Sequence, residues 1–383
     1  MKKPITKKKL AVLRTLGVRI TQAEFAHSIH QFDPILAGDL NTEVMNYARA
    51  NGLKYVDIPL KPALFFDPVK LLLGRTTHQS WVGPDRDILE SVLKEIDLYE
   101  IYETFFFYSR YTADIARKFG KPLITETWVS YPKHPSKYLQ PYSINVKTVM
   151  KATDFFIARS YSAVKYLKEF NIPDRKIEVI YQGLDLERFF PVKKGGSKKV
   201  KILFVGDLSS RKGLDDLLAV YPKLIKESGR KLELLVCGDG KLKEEVESMS
   251  EKLPVKYFGQ VPNLKIPMIY QMADIFCGPS KTLYTFGIKR IDEEFGLVFQ
   301  EALASGLPIV TNRCGGVPEV VGSDNFTNEE GDREALFNSL MSLIKDEKGR
   351  RQIGFRNRKR AEKLFNLEKQ TAITEKEIKK RFF

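Results

Sequence analysis

Cysteine is scarce: there are three in 383 residues (Cys237, Cys277 and Cys314), and none form a CxxC pair. That excludes a disulfide framework and a zinc ribbon and points to a reducing compartment. Histidine is nearly as rare, with four in the chain, all in its first half. A His-based metal site is therefore not expected, and Cys314 lacks a histidine in its own half to make it a nucleophile. No stretch approaches the ~20 apolar residues that span a bilayer. The basic start Met1-Lys-Lys-Pro-Ile-Thr-Lys-Lys-Lys leads into a short strand-like run broken by Arg14, which makes a poor signal peptide. The expected location is the cytoplasm. No GxxxxGK[ST] loop occurs, which disfavours a P-loop kinase or ATPase. Cys237-Gly-Asp-Gly240 opens like a dinucleotide fingerprint but has Lys243 where the third glycine belongs, so a nicotinamide or flavin enzyme is rejected. It reads as a tight strand-to-helix turn.

What the chain does have is apolar content: 43% hydrophobic and 11% aromatic residues, enough for real cores. Its length exceeds what one core supports, so two domains are expected. The net charge of +15 has three candidate meanings: nucleic acid, an anionic membrane surface, or phosphorylated small molecules. The excess is shared between the two halves. No clustered basic helix with a reading motif is present, so nucleic acid is not an expected partner. The charged fraction of 29% and the abundance of Lys and Glu fit a thermophile source.

In the second half, apolar runs over 199–206, 232–238, 255–259, 274–277 and 307–311 alternate with helical patterns over 213–227, 241–252, 267–272 and 297–305. This rhythm predicts βαβ units in a parallel, doubly wound sheet. The first half repeats it less cleanly, with strands expected over 10–13, 34–37, 55–58, 98–101, 123–125 and 155–158. Residues 184–197 read as a linker, and a basic helical pattern runs from 344 to 383. The expected division is a Rossmann-like domain over 1–185, a second over 186–365, and a C-terminal helix over 366–383 packing back on the first domain. Ligands in such sheets bind beyond the carboxyl ends of the strands, so the chemistry is expected at facing edges, in a cleft.

Two segments offer chemistry there. In Asp292-Glu-Glu-Phe-Gly-Leu-Val-Phe-Gln-Glu301, a helix starts near Gly296, and its free N–H groups suit an anion. Glu293, just before that helix, can meet sugar hydroxyls. The same carboxylates also serve as plain complements to the helix's positive end, and Glu301 as a solvated helical residue. In Phe204-Val-Gly-Asp-Leu-Ser-Ser-Arg-Lys-Gly213, Arg211 and Lys212 stand at a strand–loop–helix junction where both can pair with phosphate. Taken alone, an Arg-Lys pair is also an ordinary solvated surface.

Order and spacing are more distinctive than any one segment. Phe204-Val-Gly…Arg211-Lys-Gly is followed by Cys237-Gly-Asp-Gly, Phe258-Gly-Gln-Val and Ala273-Asp-Ile-Phe…Pro279-Ser. Then come Glu293-Glu-Phe-Gly…Glu301-Ala-Leu-Ala-Ser-Gly and Gly315-Gly-Val-Pro-Glu-Val-Val-Gly322. This run resembles the donor domain of retaining glycosyltransferases with the GT-B fold, the large family-four group. Upstream, Ile180-Tyr-Gln-Gly-Leu-Asp…Phe189-Phe-Pro looks like that family's interdomain segment, and the resemblance covers about residues 150–325. It implies two Rossmann-like domains and transfer from a UDP-, GDP- or ADP-sugar to a glycan or lipid-linked acceptor, with no cofactor and no metal. Residue by residue, it implies that Glu293 contacts hydroxyls of the transferred sugar and Glu301 the ribose. The backbone of Phe295, Gly296, Leu297 and Val298 would face the sugar and diphosphate. Lys212 would neutralise the leaving diphosphate, and Val261 lies where the family packs the base.

There are departures from the family. Asp207 stands where the family usually has Arg, so one diphosphate cation is missing or supplied by Arg211. Arg14-Thr-Leu-Gly-Val replaces the usual glycine-rich loop, Trp128 occupies the place of the family's N-domain histidine, and the stretch from Ser280 to Glu293 is longer than usual, as a lid or acceptor loop would be. These departures keep two alternatives open: a catalytically altered nucleotide-sugar-binding protein and a sugar-nucleotide epimerase of the same fold. The basic N-terminus and the apolar segment over 64–73 suggest an anionic membrane surface as a further partner, although a buried helix explains the segment equally well.

Overall fold

Continuous apolar runs become the central strands of two parallel sheets, because a strand covered by helices on both faces has no side for polar residues. The computed structural model describes residues 7–15, 18–62, 82–192, 199–285 and 287–383. Residues 1–6, Leu16 and Gly17 of the Arg14 segment, the 64–73 segment and the 193–197 part of the expected linker lie outside these. The chain forms two compact units, Met1–Gly183 with Leu367–Phe383, and Leu184–Asn366.

The strands of the first unit are β1 (Lys9–Arg14), β2 (Asp33–Gly38), β3 (Lys54–Asp57), β4 (Leu60–Pro62), β5 (Val82–Pro84), β6 (Leu98–Tyr102), β7 (Leu123–Thr127), β8 (Phe155–Ala158) and β9 (Ile177–Val179). Seven of them make one sheet in the order β3-β2-β1-β6-β7-β8-β9, every pairing parallel, and β4 and β5 pair separately. Its helices are α1 (Ile20–His27), α2 (Thr42–Ala50), α3 (Arg86–Leu93), α4 (Phe107–Phe119), α5 (Tyr142–Ala152) and α6 (Tyr161–Lys168). Leu10, Val12, Leu98 and Ile124 face one buried layer with Phe25 and Ala26, while Ala11, Leu13, Tyr99 and Leu123 face the other with Ala113 and Ala116.

In the second unit, β10 (Lys199–Val205), β11 (Lys231–Cys237), β12 (Val255–Tyr257), β13 (Ile275–Gly278), β16 (Ile309–Asn312) and β17 (Phe326–Asn328) form a parallel sheet in the order β12-β11-β10-β13-β16-β17. β14 (Leu283–Thr285) and β15 (Ile288–Ile291) form an antiparallel hairpin between β13 and β16. The helices are α7 (Leu214–Glu227), α8 (Lys243–Ser250), α9 (Ile266–Met272), α10 (Leu297–Ala304), α11 (Val317–Val321), α12 (Arg333–Lys345) and α13 (Glu347–Leu364). The order reverses between β10 and β13, and doubly wound sheets bind their ligands beyond the carboxyl ends at such a point.

The doubly wound parallel architecture expected from the sequence is present in both units. The unforeseen strands are short: β4, β5, β9, β14 and β17 have three residues each and β15 four, too few to print a period. The basic pattern from 344 to 383 is two helices, α13 and α14 (Leu367–Phe382), separated at Phe365 and Asn366. Asp346 caps the first by accepting the Gly349 N–H at 2.8 Å. Among the described residues, no helix is long and apolar enough to cross a membrane.

Candidate active site

β10 ends at Val205, and the chain turns through Gly206 and a short 3-10 turn, Ser210–Lys212, before α7 begins. Gly213 joins the two with φ +72°, and a Cβ there would sit 1.9 Å from the Pro279 carbonyl oxygen. Only glycine lets the turn lie this close to the end of β13. The Lys281 N–H donates to the Arg211 carbonyl at 2.7 Å and fixes the same contact. Arg211 and Lys212 are thereby held over the carboxyl edge of the sheet.

Opposite them lies Glu293. Its Oε2 accepts from the Lys212 ammonium and from the Ser280 hydroxyl at 3.1 Å, with the Arg211 guanidinium 3.9 Å away. Glu293 is buried, which pushes its carboxyl up, but the charge and hydrogen bond of Lys212 and the charge of Arg211 prevail and hold it below its ordinary range. Its neighbour Glu294, half-buried, goes the other way: burial and then the charges of Glu293 and Asp292 push it up to about 7. Asp292 shapes the segment, accepting the Glu293 N–H at 2.9 Å, the Lys289 ammonium at 2.7 Å and the Cys314 thiol at 3.1 Å. From below, the Gly316 N–H donates to the Glu293 carbonyl at 2.9 Å. A Cβ on Gly315 would fall 2.2 Å from that carbonyl oxygen, so the paired glycines are what let this loop support the carboxylates.

The remaining expected residues lie along the same edge. Gly296 precedes α10 with φ +70°, and Leu297 and Val298 form its first turn, half-buried. The Val298 carbonyl accepts from the Tyr270 hydroxyl at 3.2 Å. Phe295 is core, meeting Phe365 edge to face at 6.0 Å, so only its backbone is on offer to a ligand. Glu301 is buried inside α10, not a solvated helical residue. Burial raises the thiol of Cys237, at the end of β11, to about 11, opposed by a hydrogen bond with the Val261 backbone and reinforced by the charge of Glu301. Val261 and Glu301 therefore both lie near the end of β11. Asp207 is exposed, and Gly240 packs against it, the nearest Asp207 oxygen lying 3.0 Å from where a Cβ would be. Among the described residues, no group of three or more His, Cys, Asp or Glu gathers that could hold a metal ion.

In the first unit, Arg14 does not break the strand but ends β1, buried at 1% exposure. Its Nη2 donates at 2.8 Å to both Glu100 and Glu126, while the Arg159 Nη2 lies 2.8 Å from the same Glu126 oxygen. Trp128 is buried beside them and donates its indole N–H to Glu126 at 2.7 Å. The Trp128 N–H and the Thr127 hydroxyl are held by Glu103, a non-glycine residue at φ +61°. Sequence reasoning missed this quartet, as well as Ser280 and Asp292. The signal was there only as charges inside apolar runs, and their partners lie 86 and 112 residues from Arg14.

Known proteins resemble the chain in sequence and in fold. A family model described as Glycosyl transferases group 1 matches residues 186–360. The chain is similar to the sulfoquinovosyl transferase of Arabidopsis thaliana, 26% identical over a 274-residue alignment that covers 65% of this chain and 50% of that protein. It is also similar to the N-acetyl-alpha-D-glucosaminyl L-malate synthase of Bacillus anthracis, 28% identical over 57% of this chain and 58% of that one. The chain spans about half the length of the curated relatives it matches. Among solved structures, Anabaena HepE in complex with UDP and glucose aligns with a TM-score of 0.75 at 16% identity, over 97% of this chain and 99% of that one. The chain has the GT-B fold, and its residues 186–360 match the model of the glycosyl transferases group 1 family.

Proposed function

We propose that the chain is a retaining glycosyltransferase of the cytoplasm, moving a hexose from a UDP-, GDP- or ADP-sugar to a glycan or lipid-linked acceptor without a metal. The observation that carries this reading is the convergence of Lys212 and Arg211 on Glu293, in the loop that ends at the N-terminus of α10. Cleaving an anomeric bond builds positive charge on the sugar and negative charge on the departing diphosphate, and fixed cations and N–H groups lower that barrier. Lys212 and Arg211 supply the cations, and the free N–H groups around Gly296, Leu297 and Val298 supply the dipoles. Glu293, kept ionised by the two cations, accepts from hydroxyls of the transferred sugar once Lys212 turns to the phosphate. Glu301 takes the ribose, and Val261 packs the base. The Anabaena structure with UDP and glucose and the relatives named as transferases support a nucleotide-sugar donor.

Thermal-shift measurements with nucleoside diphosphates and their sugars test the donor, since a ligand bound by the native state raises its apparent stability. One nucleotide is expected to stabilise the protein clearly above the others. Glu293→Gln and Lys212→Ala are expected to abolish transfer while the chain stays folded by circular dichroism. Turnover near wild type in both variants would remove the site assignment. Nucleotide binding without turnover in the wild type would instead leave a binding protein.

A further inference from the structure

Between Glu126 and Asp154 the chain carries four lysines, one histidine and no Asp or Glu. The turn before α5 and the helix itself lie in that interval. α5 buries Tyr142, Val146, Val149 and Met150 on one side. Ile144, Lys147 and Lys151 follow at three- and seven-residue spacing, so they share the opposite side. Ile144 is 40% exposed, and Tyr138 and Leu139, just before the helix, are 59% and 39% exposed. The Leu139 carbonyl accepts the Ser143 N–H at 2.9 Å, which joins that turn to the first turn of α5. The nearby carboxylate Glu169 is taken, accepting from the Lys137 ammonium at 3.1 Å and the Lys133 N–H at 3.0 Å. Among the described residues, no carboxylate pairs with Lys147 or Lys151.

We infer that this face, Tyr138, Leu139 and Ile144 beside Lys147 and Lys151, binds the surface of an anionic phospholipid bilayer. Three exposed apolar side chains, one an aromatic with a polar tip, suit the boundary between headgroup and acyl chain. Unpaired lysines on the same side meet the lipid phosphates, and a segment that itself carries no carboxylate adds no repulsion. The charge pattern argues against a second copy of the chain as the occupant, because this face would meet its own positive charge. The inference deepens the proposed transfer reaction and rests on it for its use, which is to hold the enzyme where a lipid-linked acceptor lies.

The test is flotation of the full chain with vesicles of phosphatidylcholine alone or mixed with phosphatidylglycerol. Binding is expected on the mixed vesicles only, and to weaken as salt is raised. The double variant Lys147→Glu/Lys151→Glu is expected to bind about thirtyfold more weakly or worse, from about fivefold for each lysine lost. Tyr138→Ser/Ile144→Ser is expected to bind more weakly at every salt concentration. Both variants change exposed residues, so thermal midpoint and circular dichroism check the fold. Equal binding to the two vesicle types overturns the inference, as does a double variant that floats like wild type. A dimer in solution that the double variant dissolves, with no vesicle binding, overturns it too. Nucleotide-induced stabilisation, read on the same samples, reports the donor site separately, so either reading can fail without the other.

Discussion

Glu126 is fully buried yet meets two guanidiniums and an indole N–H, while Glu100, just as buried, meets Arg14 alone among the described residues. Burial pushes both carboxyls up. For Glu126 the charges of Arg159 and Arg14 reverse that and hold it at about 2, whereas Glu100 stays raised, with the Glu126 charge adding to burial. The two carboxylates should therefore respond differently to the same substitution. Glu126→Gln leaves two buried cations short of a charge and is expected to cost about 3–5 kcal/mol at neutral pH. Glu100→Gln removes a charge that burial already disfavours and is expected to cost clearly less than Glu126→Gln. Because the Glu126 value is depressed, its stabilisation is present above the unfolded carboxyl's 4.5 and is lost as pH falls through about 2. Urea unfolding of both variants at neutral and acidic pH checks this. Equal losses, or a Glu126→Gln deficit that persists undiminished at pH 2, would refute the assignment.

The element on which the donor site depends is the turn between β10 and α7, and its tightest point is Gly213. Gly213→Ala brings a Cβ against the Pro279 carbonyl at a φ that L-residues resist, so the turn must lift from the end of β13. The expected result is a lower thermal midpoint together with loss of nucleotide-induced stabilisation, since Arg211 and Lys212 ride on the same turn. A variant that melts and binds nucleotide like wild type would show that the contact does not position them. Much of this element was legible in the sequence, because a buried parallel strand writes itself as an unbroken apolar run and Gly213 ends the Arg-Lys pair. What closes around it was not legible. Ser280 reaches Glu293 from another strand's end, and Asp292 gains its meaning only when Lys289 and Cys314 fold onto it. The Arg14 network was hidden for the same reason: each charge looks like an interruption until the sheet brings its partners to one edge.

At the scale of the molecule, the chain leaves the first unit after Gly183 and comes back to it at Leu367. The returning helix α14 is part of that unit's core: Leu367 and Ile378 pack in the layer with Leu10, Val12 and Phe25. Glu375 accepts the His30 and Gln31 N–H groups at 2.7 and 2.5 Å, satisfying backbone donors between α1 and β2, and Arg381 lies 4.1 Å over the Phe155 ring. A Cβ on Gly183 would fall 2.7 Å from the Leu367 Cα, so the departing and returning ends are packed against each other. Removing residues 367–383 therefore strips the first unit of core area and of a cap, while every described contact of Lys212, Arg211 and Glu293 lies within 184–366. Ile378→Asp, which buries a charge without a partner, isolates the same effect in the full chain. Calorimetry is expected to show the first unit's transition lowered and the nucleotide-responsive transition in place, because the two cores share no residue. If Ile378→Asp moved the nucleotide-responsive transition just as far, the donor site would owe its stability to the first unit. The charges on the β10–α7 turn would then not be enough to hold a nucleotide without it.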